Sequence, residues 1–171
     1  MNRAELTVRL AEEKTLTVNL FSSIGEAAFF VRPQPEKWSP AELVQHLVLS
    51  VRPLVLAHSL PLFVLRVLFG APNRRGRTYE ELVERYRGKL AAGGRASGPF
   101  IPGRTGTGAS KEALLKKLNK AYDRYTSKVS RVNESDFDRY LLPHPLLGKL
   151  TLREMTYFTI YHLQHHRNAI K

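Results

Sequence analysis

Residues 151–171 read TLREMTYFTIYHLQHHRNAIK, and this stretch decides the fold. Thr151 and Glu154 stand at the spacing of a capping box, so a helix opens here. Leu152, Met155, Thr159, His162, His166 and Ala169 then recur in steps of three and four, the pattern of a core-facing helical stripe. His162 and His166 lie one turn apart on that stripe. Two imidazoles so placed can converge on a single cation. A second stripe, Met155, Phe158, His162, His165 and Ala169, is equally regular. His165 therefore stands as the alternative to His166, with spacing only modestly favouring His166. The sequence has Leu163 where a metalloprotease motif would place glutamate, so an HExxH hydrolase is excluded.

A metal inside a helical bundle needs a further ligand from a facing helix. Residues 36–47, EKWSPAELVQHL, supply one. Ser39 suits a helix cap, Pro40 suits the first helical position, and Glu42 completes a capping box. The helix that follows carries Leu43, His46, Leu47, Ser50, Val51 and Leu54 along one stripe, with Pro53 as a potential kink. His46 thus faces inward and is the natural third ligand. His58 and His144 have no partner at useful spacing, and His144, between Pro143 and Pro145, reads as structural.

Two more long helices complete the set. Leu6, Leu10, Leu16, Leu20, Ile24 and Ala27 predict one over residues 3–30. Ser110 caps another, with Leu114, Leu118, Ala121, Tyr125, Val129 and Val132 as its apolar face. Thr78 and Glu81 open a short helix through Leu90. Residues 91–110 form a long Gly/Pro-rich loop, fit to be a lid or a slack connection. Within it GRTGTGAS, 103–110, lacks the lysine and the preceding strand of a phosphate loop. NESDFDRYLLPHPLLGKL, 133–150, reads as irregular. The apolar run Pro53 to Phe69 reads as a buried helix broken near Pro61, since His58, Pro61 and Arg66 interrupt it short of the roughly 20 residues of a membrane span. The expectation is an all-α, single-domain protein over residues 1–171: four main helices, one short helix and the long loop.

Composition narrows the chemistry. There is no cysteine, so disulfides and thiolate nucleophiles from this chain are excluded. Any metal must be held by nitrogen and oxygen ligands. The N-terminus, MNRAELTVRLAEEK, has no apolar signal core, and a cytoplasmic location is expected. The net charge is +12, and residues 66–131 carry 16 Lys/Arg against 5 Asp/Glu. A solvated basic face explains that excess best; nucleic acid is a less favoured partner, because the segment lacks interleaved aromatic residues.

Three segments together resemble the DinB-like superfamily of metal-dependent helical bundles: EKWSPAELVQHL (36–47), HPLLGKLTLREM (144–155) and YHLQHHRNAI (161–170). The Trp-Ser-Pro-x-Glu-x-x-x-His run at the front and the His-x-x-His-His run at the back carry it. The resemblance implies a four-helix bundle in up-down-down-up order, with metal ligands at His46, His162 and His166. It implies a divalent ion, nickel or zinc foremost, and a homodimer. It also implies an enzyme coupling an external low-molecular-weight thiol to a small electrophilic substrate. A hydrolase using metal-bound water ranks below the transferase. The alternative class is a non-catalytic or metal-free bundle that binds nucleic acid or an acidic partner through residues 66–131.

Overall fold

The structure, a computed structural model, describes residues 1–104, 108 and 110–170. Half of the 103–110 stretch judged against a phosphate loop, residues 105–107 and 109, falls outside the described residues. Helix α1 spans Arg3–Ser23, α2 Glu26–Phe29, α3 Pro40–Ala57, α4 Leu62–Phe69, α5 Tyr79–Ala91, α6 Lys111–Val129 and α7 Leu152–Asn168. An antiparallel hairpin, β1 (Leu141–His144) and β2 (Gly148–Thr151), precedes α7.

The four long helices α1, α3, α6 and α7 form the bundle, and side-chain contacts fix their directions. Lys14 meets Asp123, while Lys111 at the start of α6 donates to Ser22 O and Ile24 O at the end of α1, so α1 and α6 are antiparallel. The N-terminus reaches Tyr157 and Glu13 binds Gln164 and Arg167, so α1 and α7 are parallel. His46, early in α3, meets His166, late in α7, and His58 at the end of α3 meets Tyr125, late in α6. The order is up-down-down-up. The parallel pair α3/α6 requires a long crossover, which residues 58–110 provide.

Local chemistry sets the helix ends. Ser39/Glu42, Thr78/Glu81 and Thr151/Glu154 each form the reciprocal capping box expected of them, and Asn2/Glu5 adds one on α1. Two carboxylates of these boxes have a second task. Glu42 binds the Arg32 guanidinium through both oxygens, at 2.7 and 2.8 Å. Glu154, fully buried, binds Arg74 at 2.7 and 2.8 Å and also accepts from Arg77 N. Those bonds tie the start of the crossover to the first turn of α7.

Four expectations are corrected. The first helix is not continuous to residue 30: it stops at Ser23, where Ile24 is extended and Lys111 takes the freed carbonyls. Its buried stripe is Leu6, Leu10, Glu13, Thr17 and Phe21, and Leu16 is 51% exposed. Reading apolar residues alone missed this, because Glu13 faces inward to pair with Gln164 and Arg167. The run Pro53 to Phe69 is broken near Pro61 as expected, but it is not buried. It bends by 109° between α3 and α4, and only Leu54 and Leu65 in it are buried. No single helix among the described residues is long and apolar enough to cross a membrane. Residues 141–151 are not irregular. The hairpin turn is stabilised by Gly148 at φ +76° and by His144 Nδ1, which accepts from Leu146 N and Leu147 N at 3.1 Å. Finally, three short α-helices among the described residues, α2, α4 and α5, rather than one accompany the bundle.

Helix α7 is the centre of the molecule. Every residue from Glu154 to Leu163 is buried, enclosed by α1, α3, α5 and the hairpin. A helix buried all round has no single apolar face. That is why its sequence shows two equally regular stripes.

Candidate metal centre

The bundle brings His46 of α3 to His162 and His166 of α7. His162 Nε2 lies 3.0 Å from His46 Nε2 and 2.9 Å from His166 Nε2. The ligand atoms of all three lie within 4.8 Å of one another. His165 is placed outside this group. Its half-buried ring turns toward Tyr86 and Tyr161, with centroids 5.9 and 6.2 Å away. His144 and His58 are also outside it. His144 holds its turn with Nδ1 and packs on Phe158 at 4.2 Å, while His58 Nδ1 bonds Leu54 O at the far end of α3.

Proton counting tests whether these residues suit a cation. His46 Nδ1 is 2.7 Å from Phe100 O. A carbonyl only accepts, so Nδ1 carries the hydrogen and Nε2 presents a lone pair toward His162. A single proton on His162 Nε2 points along one of its two short contacts and leaves the other unsupported. Protonating a ring is disfavoured as well. Burial holds His46, His162 and His166 below the ordinary histidine range, His162 and His166 well below it, and the neighbouring imidazoles press in the same direction. Three neutral rings with convergent lone pairs are the donor set that a divalent ion satisfies. The residues present fit the metal.

The surroundings support each ring. Trp38 packs on His46 at 4.9 Å and Phe158 stacks on His162 at 4.9 Å. The Phe100 carbonyl fixes the His46 tautomer, the role an outer partner plays for a ligating histidine. It comes from the Gly98–Phe100 turn of the long loop, so that part of the loop belongs to the site wall. Sequence reading could not find this partner, since every residue offers a carbonyl. The histidines border a cavity of about 1120 Å³. Glu36 is the only carboxylate among the described residues that line it.

The match to a family model over residues 9–170 is decisive for ancestry. The chain belongs to the DinB superfamily. A crystal structure described as that of TT2238, a four-helix bundle protein, is similar over 98% of this chain and 97% of that one, with TM-score 0.60 and 17% identity. At that identity the likeness speaks to the fold alone. No curated protein matches the chain. Within this superfamily, which is often metal-associated, the three adjacent histidines could bind a metal ion.

The basic middle segment is partly spent on internal pairs. Arg74 and Arg77 serve Glu154, Arg75 serves Glu81, and Arg87 donates to the Tyr161 hydroxyl at 2.8 Å. Lys116, Lys120, Arg124 and Lys128 flank a shallow groove on α6.

Proposed function

We propose that this chain is a divalent-metal-dependent transferase that joins an external low-molecular-weight thiol to an electrophilic carbon, with His46, His162 and His166 as the ligands. The convergence of the three Nε2 atoms at the wall of a large cavity carries the proposal. Nickel or zinc suits three imidazoles best. A bound ion supplies an open Lewis-acidic position that draws a thiol toward its nucleophilic thiolate near neutral pH.

The chain's own residues do the rest. Phe100 O holds the His46 ring in the ligating tautomer. Trp38 and Phe158 clamp the rings and keep water from their faces. The chain offers no cysteine, so the sulfur comes from outside. Thiol transfer is preferred to hydrolysis because Glu36 is the only carboxylate among the described lining residues, leaving no evident base beside the histidines. Metal-loaded protein should consume a thiol together with one member of an electrophile panel, and His46→Ala should not. No thiol consumption across a broad panel would remove the transferase reading while leaving the metal centre standing.

The homodimer is also proposed, through the apolar face of α4. Phe63, Val67 and Leu68 are 68%, 79% and 59% exposed, and Leu56, at the end of α3, is 66% exposed. With Leu60, five large apolar side chains exposed within thirteen residues make a patch suited to a self-complementary contact. A Phe63→Glu/Val67→Glu double variant should elute and scatter light as a monomer where the wild type is a dimer. A wild-type monomer at high concentration would contradict this. Recognition of nucleic acid or an acidic partner remains the second reading, through the basic groove of α6, and requires affinity that falls steeply with salt.

A further inference from the structure

The cavity beside the histidines is larger and more apolar than an ion and a small thiol require. Its volume of about 1120 Å³ exceeds the usual range of ligand pockets, roughly 300–1,000 Å³. Trp38, Leu43, Leu54, Phe100, Phe158 and Ile170 give it an apolar wall. Three charged residues reach its lining: Glu36, Lys37 and Arg95. Glu36 and Lys37 are adjacent and of opposite sign. None of the three takes part in an ion pair found among the described residues, so with Glu36 and Lys37 offsetting each other Arg95 supplies the net positive charge of the lining.

Arg95 is placed there by the end of α5. Gly93 turns the chain at φ +86°, and Gly94 N donates to Lys89 O at 2.9 Å. A Cβ on Gly94 would come within 2.6 Å of that same oxygen, so the turn admits only glycine without a backbone shift. The chain then leaves the helix across the cavity. Arg95 and Ala96 line it, and the strap ends with the Phe100 carbonyl on His46. One short strap thus joins a guanidinium with no ion-pair partner among the described residues to the candidate metal ligands across an apolar wall.

We infer that the cavity takes an amphipathic anion: an apolar body against the aromatic and aliphatic wall, and one carboxylate head received by Arg95. The inference rests on the transferase reading only in making this molecule the electrophile. Its binding requires no metal.

Trp38 is the sole tryptophan and lines the cavity, so its fluorescence reports occupancy directly. Metal-stripped protein is titrated with decanoate, decanol and decyltrimethylammonium, each below its micelle-forming concentration. Decanoate should give a saturable change and bind about fivefold more tightly than decanol, the upper worth of a partly exposed ion pair. The cation should bind no better than decanol. Arg95→Gln should erase the preference for decanoate and leave decanol unchanged, while Lys116→Gln, away from the cavity, should alter neither. Equal affinity for decanoate and decanol overturns the inference. So does a preference that survives Arg95→Gln, or the absence of any saturable change. Because the protein carries no metal in this test, its failure leaves the metal centre untouched, and a failed metal centre leaves its result untouched.

Discussion

His162→Ala is expected to weaken binding of a divalent ion by more than about 100-fold, the upper end of what losing an outer partner of a metal ligand costs. His162 is the middle member of the group, with its Nε2 at 3.0 and 2.9 Å from the other two. Removing it leaves two imidazoles on different helices, which no longer enclose a position. His162 is buried within the enclosed run of α7, so the substitution also opens a void in the core. Far-UV circular dichroism and a thermal melt of the metal-free variant separate loss of the site from loss of the fold. His46→Ala is the companion, because His46 lies on α3 and its removal leaves α7 unaltered. Retention of wild-type affinity in folded His162→Ala would show that the ion, if any, sits elsewhere. His165→Ala should keep most of the affinity, since its ring is turned toward Tyr86 and Tyr161.

Glu154→Gln is expected to destabilise the fold by about 2–3 kcal/mol, somewhat less than a fully enclosed ion pair because its arginines are partly solvated. The Glu154 side chain is 1% exposed, against 31% for Arg74 and 21% for Arg77. It accepts from both guanidiniums and from the amides of Thr151 and Arg77. A glutamine keeps the shape but offers one acceptor oxygen and no charge. For a chain of this size the melting temperature should fall by about 5–10 °C. The pH dependence carries a sign. Burial alone would raise the Glu154 pKa, but Arg74 and the two amides more than offset it and hold it below the ordinary glutamate value. A carboxylate depressed in the folded state contributes stability at neutral pH and loses it as pH falls through the folded pKa. The gap between wild type and Glu154→Gln should therefore be full at pH 7 and narrow as pH drops below 4.5. A gap under about 0.5 kcal/mol at pH 7, typical of a surface change, would contradict the account.

Much of the architecture was legible in the residues. The boxes at Ser39, Thr78 and Thr151 announced three helix starts, because a capping box is a local bond pattern that tertiary packing rarely overrides. What failed was non-local. Leu16 on α1 looked like core and is exposed, because Glu13 faces inward to partners on α7 that no local window contains. The strands of the hairpin are four residues long and one contains Pro143, too little for alternation to register. Phe63 and Val67 lie in an apolar run that reads as buried, and a surface helix with an exposed apolar face gives the same pattern. Of the candidate site, spacing pointed to His46 and His162 with either His165 or His166, and the resemblance of the flanking motifs favoured His166. Spacing alone could not separate His165 from His166, since both stripes of α7 lead to packed neighbours. Phe100 and Arg95 carried no signal at all: one acts through its backbone, and the other is a charge in a loop until the turn at Gly93 and Gly94 brings it to the cavity.

The most direct measurement is calorimetric titration of untagged, chelator-stripped protein with zinc and with nickel, paired with elemental analysis of the reloaded sample. The account predicts one ion per chain, bound by the wild type and lost in His46→Ala. A wild-type chain that takes up no ion, or a His46→Ala variant that takes up as much, would contradict it.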